Sequence, residues 1–112
     1  MLIALPAFRD RVAPRLDSAC EVLVLEPANS GPPREVDRLV WGEESLAARI
    51  RSLTQRGVGL LVCGALEPAA EESFRRHGIE VVSWIRASVE AVLEALAVGD
   101  LKSVQHRPGS PA

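Results

Sequence analysis

A chain of 112 residues, 47% apolar and 25% charged with a formal net charge of −2, is long enough for one folded domain and short for two. Those proportions argue against wholesale disorder, and the charge gives no general attraction for nucleic acid, whose backbone selects clustered Lys and Arg. With no Tyr and only Phe8, Phe74, Trp41 and Trp84 as aromatic residues, a base-stacking surface has little to build on.

Residues 2–5 read as a first strand ended by Pro6, and residues 7–20 as an irregular, polar segment. A second strand spans residues 21–26, a proline- and glycine-rich loop residues 27–33, and a third strand residues 35–41. The second strand is expected antiparallel to both the first and the third. A helix from Gly42 or Glu43 places Leu46, Ile50 and Leu53 on one stripe and closes at Gly57. Gly57, Gly78 and Gly99 then stand 21 residues apart, and each interval reads as a buried strand, a turn and an amphipathic helix. The first unit has a strand at residues 60–63 and a helix beginning near Pro68, with Glu71 and Glu72 early and Arg75, Arg76 and His77 late. The second has a strand at residues 81–84 and a helix capped by Ser88 that buries Val89, Val92, Leu93 and Leu96. Residues 1–101 form the expected single domain and residues 102–112 a flexible tail. The order β-β-β-α-β-α-β-α, with a parallel pair at its end, resembles the ribonuclease H-like α/β layout: a mixed five-stranded sheet with helices on its faces.

Parallel sheets bind ligands outside the carboxyl ends of their strands, so Cys63-Gly64-Ala65 and Trp84-Ile85-Arg86 are the first places to search. Two-metal phosphodiester cleavage needs converging carboxylates, and neither residues 2–5 nor residues 60–63 contain one. Cys63 with His77 or His106 is a conceivable nucleophile–base pair, but a small buried hydrophobe explains Cys63 and helix-end capping explains His77. There is no nucleophile elbow, glycine-rich phosphate motif or zinc-ligand spacing, so no enzyme is expected. Cys20 and Cys63 form no CxxC pair, and both are expected as free thiols. The apolar start covers only residues 1–6 and precedes its first cation, the reverse of a signal peptide; no membrane span is present, and a cytoplasmic protein is expected. The loop over residues 8–19 carries Arg9, Arg11 and Arg15. Beside the amides that open the Pro68 helix these arginines would form an anion site; otherwise they are a solvated loop.

The run Leu2-Ile3-Ala4-Leu5-Pro6, then Arg11-Val12-Ala13-Pro14-Arg15-Leu16-Asp17-Ser18-Ala19, Val62-Cys63-Gly64-Ala65 and Gly78-Ile79-Glu80-Val81 resemble the dinitrogenase iron–molybdenum cofactor biosynthesis domain. The likeness continues through Val89-Glu90-Ala91-Val92-Leu93 and Gly99-Asp100-Leu101. It implies a ribonuclease H-like fold and a small, non-catalytic binding or carrier protein for a metallocluster, an iron–sulfur or iron–molybdenum cofactor precursor, or another anionic ligand. Arg9, Arg11 and Arg15 would attract charge, Gly64 would admit close backbone approach, and Cys63 or His106 would supply a transient ligand. Two departures stand out: Asp10 replaces a frequent glycine, and the tail reads Arg107-Pro108-Gly109-Ser110 where many members end in a Met-Pro-Gly-Cys-like sequence. A hydroxyl there ligates iron poorly, which turns the expectation from cluster ligation toward anion docking. The alternative is a structural or regulatory interaction domain without cofactor that pairs with itself or a protein partner. No nucleic acid and no membrane partner is expected.

Overall fold

The computed structural model describes residues 1–16 and 20–108, without the Cys20 side chain. Expectations that rest on that side chain or on Gly109 and Ser110 lie outside the described residues. The strands are β1 (Leu2–Phe8), β2 (Arg11–Val12), β3 (Cys20–Glu26), β4 (Arg34–Trp41), β5 (Val58–Val62) and β6 (Glu80–Val82). The helices are α1 (Leu46–Gln55), α2 (Pro68–Arg76) and α3 (Val89–Val98), followed by a 3-10 turn at Leu101–Val104.

The sheet runs β4-β3-β1-β5-β6, with β2 folded back on β1. β3 is antiparallel to β1 and β4, while β1, β5 and β6 are parallel, which is the expected ribonuclease H-like arrangement. The short loop between β3 and β4 permits only the antiparallel pairing, and the crossovers through α1 and α2 permit parallel ones. Alternation along the strands divides the core between the two faces. Ala4, Val22, Val24 and Leu61 meet Ile50 and Leu53 of α1 and Phe74 of α2, while Ile3, Leu5, Leu23 and Leu25 meet Val92 of α3.

β5 begins at Val58 and ends at Val62 rather than spanning residues 60–63, and β2 forms inside the segment expected to be irregular. Three further boundaries differ from expectation, each for a local reason. β1 passes through Pro6 and ends at Phe8. The Pro6 carbonyl accepts the Ala13 N–H, so the donor that proline lacks faces the same side, where β5 pairing has already stopped at Ala4. No ladder bond is lost there, and the chain goes on to form the β1–β2 hairpin. The strand expected at residues 81–84 ends at Val82, because Trp84 adopts a left-handed φ of 63° and turns the chain out of the sheet. Helix α1 starts at Leu46 rather than Gly42, where the Ser45 hydroxyl accepts the Ala48 N–H at 3.1 Å.

The expected tail from residue 102 is also corrected over its first part. The 3-10 turn packs beside α3, the Arg86 N–H reaches the Val104 carbonyl at 2.9 Å, and the His106 N–H reaches the Trp84 carbonyl at 2.8 Å. Gln105 adds a bond from Nε2 to the Ser83 carbonyl at 2.8 Å. Residues 102–106 are therefore tied to the segment that leaves β6.

Candidate functional site

β5 and β6 both deliver their chains to the same end of the sheet. There Cys63 and Gly64 turn toward α2, and Ser83 and Trp84 turn toward α3. The two turns are tied together by Trp84 N–H to the Gly64 carbonyl at 2.8 Å and Ile85 N–H to the Cys63 carbonyl at 3.0 Å. The segment after β2 lies alongside: Ala65 N–H donates to the Pro14 carbonyl at 2.8 Å, and Leu16 N–H donates to the Ala65 carbonyl. Arg15 and Ala65 form a parallel bridge. Where these segments meet α1 and α2, a cleft of about 680 Å³ opens, lined among others by Arg15, Arg49, Leu66, Pro68, Ala70 and Trp84. That volume lies within the range of small-molecule sites.

The expected site residues are distributed unevenly around this cleft. Arg15 lines it. Arg11 does not: its backbone bridges Ser88, and the neighbouring Val12 N–H reaches the Ala87 carbonyl at 3.0 Å. Arg9 sits at the hairpin tip with φ 59°, its guanidinium 5.5 Å from the centre of the Phe8 ring, beside a separate hollow that includes Asp10, Glu21 and Glu35. The three arginines are thus not gathered into one dock at the Cys63 turn.

Gly64 has a different use from the one expected. A methyl group in its place would meet the Ala13 carbonyl and stand 2.6 Å from that of Pro14. The close backbone approach is made by the chain's own segment, which leaves no room there for a ligand. Cys63 is fully buried and unbridged. Burial, with the nearby Glu71 carboxylate adding to it, pushes its thiol up to about 12, so the thiolate that binds metal is suppressed. His106 is exposed and meets the site through its backbone bond to Trp84.

Two cleft residues lie outside the expected set of binding residues, although Trp84 stands at one of the strand ends marked for search. Arg49, in the middle of α1, is only 6% exposed. Its Nη1 donates to the Leu16 carbonyl and its Nη2 to the Gly42 carbonyl at 2.8 Å, while Nε has no acceptor. The guanidinium carbon lies 5.1 Å from the centre of the Trp41 ring, a cation–π contact that holds it against the core. Trp84 is the second, held in its strained left-handed conformation by Gly64 on one side and His106 on the other. The cap of α2 completes the picture. Ser45 and Ser88 cap α1 and α3 with their hydroxyls, but Glu67 makes no side-chain bond at the start of α2. Pro68 occupies the first turn and Ala70, which lines the cleft, follows it.

The cleft therefore offers guanidinium groups, a helix N-terminus, an indole, aliphatic side chains and, among the described residues, a single carboxylate, that of Glu67. Its lining contains neither thiolate nor imidazole. Among the described residues, no three His, Cys, Asp or Glu side chains assemble into a metal-holding group. What such a donor set does chemically is attract and orient negative charge, not coordinate iron.

Fold and cleft together define an α/β domain with an arginine-lined cleft at the ends of its parallel strands. The chain belongs to the dinitrogenase iron-molybdenum cofactor family, whose model matches residues 1–99. No curated protein matches it. Among solved structures it is similar to the crystal structure of PH0822, with a TM-score of 0.78 at 18% identity, covering 89% of this chain and 91% of that one. At that identity the likeness bears on the fold. Among the described residues, no helix is long and apolar enough to cross a membrane.

Proposed function

We propose that this protein is a small cytoplasmic carrier that catalyses no reaction and docks an anionic cargo, a metallocluster precursor or another anionic ligand, in the cleft between α1 and α2. The observation that carries this reading is the convergence of Arg15, Arg49 and the uncapped start of α2 on one cavity at the ends of β5 and β6. Family membership supports cofactor-related cargo. Docking here works through the charge and outline of the cargo, since Cys63 is enclosed and protonated at neutral pH.

The test is anaerobic incubation of the protein with isolated iron–molybdenum cofactor, followed by desalting and measurement of bound iron and molybdenum. The parent should retain metal, and Ala70→Glu should not. The added carboxylate repels an anion at the cleft, while its place in the first turn of α2 favours the helix. Equal metal in parent and variant, or none in either, contradicts the proposal.

A second reading, an interaction domain without cofactor, draws on β4. This outer strand leaves Val36 43% and Val40 75% exposed. Ion pairs from Arg34 to Glu26 and from Arg38 to Glu21 and Glu35 tie its charges back to its own sheet. Loss of self-association on Val40→Lys, with cofactor uptake absent throughout, would favour this second reading.

A further inference from the structure

The cleft holds more than positive charge. Leu46 from α1, Leu66 and Pro68 at the entry to α2, Ala70 within it and the Trp84 indole all face the same space. A simple inorganic anion gains nothing from such walls, because apolar surface contributes by leaving water against another apolar surface. Small-molecule sites of this volume combine an apolar lining with a few polar groups that fix orientation.

Arg49 has the properties of such a polar group. It is a nearly enclosed cation whose hydrogen-bond acceptors are two neutral carbonyls, and its Nε has none. No carboxylate lies within ion-pair distance of it among the described residues. Glu44 acts on it electrostatically without an ion-pair contact. A buried cation whose hydrogen bonds all go to neutral carbonyls still carries a desolvation cost that a counter-charge in direct contact would offset. The positive end of α2 adds to that demand, and Glu67, an exposed residue, is the acid among the lining residues.

We infer that the cleft is shaped for a small organic anion. Its acidic head, a carboxylate or phosphate, pairs with Arg49 near the start of α2, and its apolar or aromatic body lies against Leu66, Pro68 and Trp84. This rests on the cleft being the ligand seat and names the chemistry of what sits there. A cargo with organic acid groups at its periphery and a free organic acid share that chemistry.

The test uses three probes on isotope-labelled parent protein: phenyl phosphate, inorganic phosphate and benzyl alcohol. Amide and indole N–H resonances report where each binds. Phenyl phosphate should shift the Trp84 indole and the amides of residues 65–70, with an affinity about tenfold or more above either of the other two, the gain expected when both halves of the site are used. Arg49→Lys, which keeps the charge but not the planar fork, and Ala70→Glu should each weaken phenyl phosphate severalfold. Should Arg49→Lys fail to fold, Ala70→Glu and the three-probe comparison still decide.

Equal binding of inorganic phosphate would overturn the inference in favour of a purely cationic pocket. Equal binding of benzyl alcohol would overturn it in favour of a purely apolar one. Silence of the cleft resonances to all three would overturn it outright. Uptake of iron–molybdenum cofactor is scored separately by metal content. Retained uptake with a silent cleft overturns this inference alone, and phenyl phosphate binding without uptake overturns the metallocluster cargo alone.

Discussion

Gly64 stands where the turn after β5 meets the carbonyls of Ala13 and Pro14, so its hydrogen is a packing requirement. Gly64→Ala should destabilise the fold by about 1–3 kcal/mol, the usual range for forcing a methyl group into filled space, as read by urea unfolding. Cys63 makes a second prediction through its ionisation. Its folded value of about 12 lies above the ordinary 9.0, so between those values the unfolded chain loses a proton that the folded chain keeps. Stability should fall as pH rises through that window, and Cys63→Ala should flatten the fall. At neutral pH, Cys63 should resist alkylation until denaturant is added, followed by mass spectrometry. Much of this was legible from residue type, since a cysteine among Leu60, Leu61 and Val62 is expected inside. Arg49 was not. A search for apolar periodicity reads α1 by Leu46, Ile50 and Leu53 and passes over a cation between them, whose burial is explained by partners outside the helix: the carbonyls of Leu16 and Gly42 and the Trp41 ring.

The segment after α3 behaves as an element of the fold. Ending the chain at Asp100 removes the bonds of Val104 to Arg86, Gln105 to Ser83 and His106 to Trp84. That should cost about 2–4 kcal/mol, at roughly 1 kcal/mol per hydrogen bond plus the lost packing, as measured by thermal or urea unfolding. It should also release the backbone at Trp84 and weaken cleft binding. The repeated units were legible because glycine at residues 57, 78 and 99 punctuates them, and all three adopt positive φ. The continuation of β1 past Pro6 was not. It depends on which side of the strand the missing donor faces, and that is fixed only by the position where β5 stops. The docking of residues 102–106 is set by partners at residues 83–86, a tertiary effect absent from the local pattern.

Across the whole molecule, the parallel order of β1, β5 and β6 brings the cleft together from pieces remote in sequence: the segment after β2, the body of α1, the start of α2 and the turn after β6. The sequence pointed to the end of the sheet where the cleft lies, because strand order determines where the carboxyl ends of a parallel sheet gather their loops. Which arginines arrive there depended on the path of the β1–β2 hairpin, which carries Arg9 and Arg11 away from the cleft lining and leaves Arg15 within it. Cofactor uptake should therefore depend on Arg15 and hardly change in Arg9→Ala or Arg11→Ala. It should also weaken with added salt, since exposed charges are screened over about 8–10 Å near physiological ionic strength. The most direct test of the cleft as the ligand seat is hydrogen exchange of the parent protein with and without isolated iron–molybdenum cofactor. Slowed exchange confined to the amides of residues 65–70 and the neighbourhood of Trp84 is expected. Slowed exchange at the Arg9 and Arg11 hairpin or along β4, with the cleft amides unchanged, would contradict it.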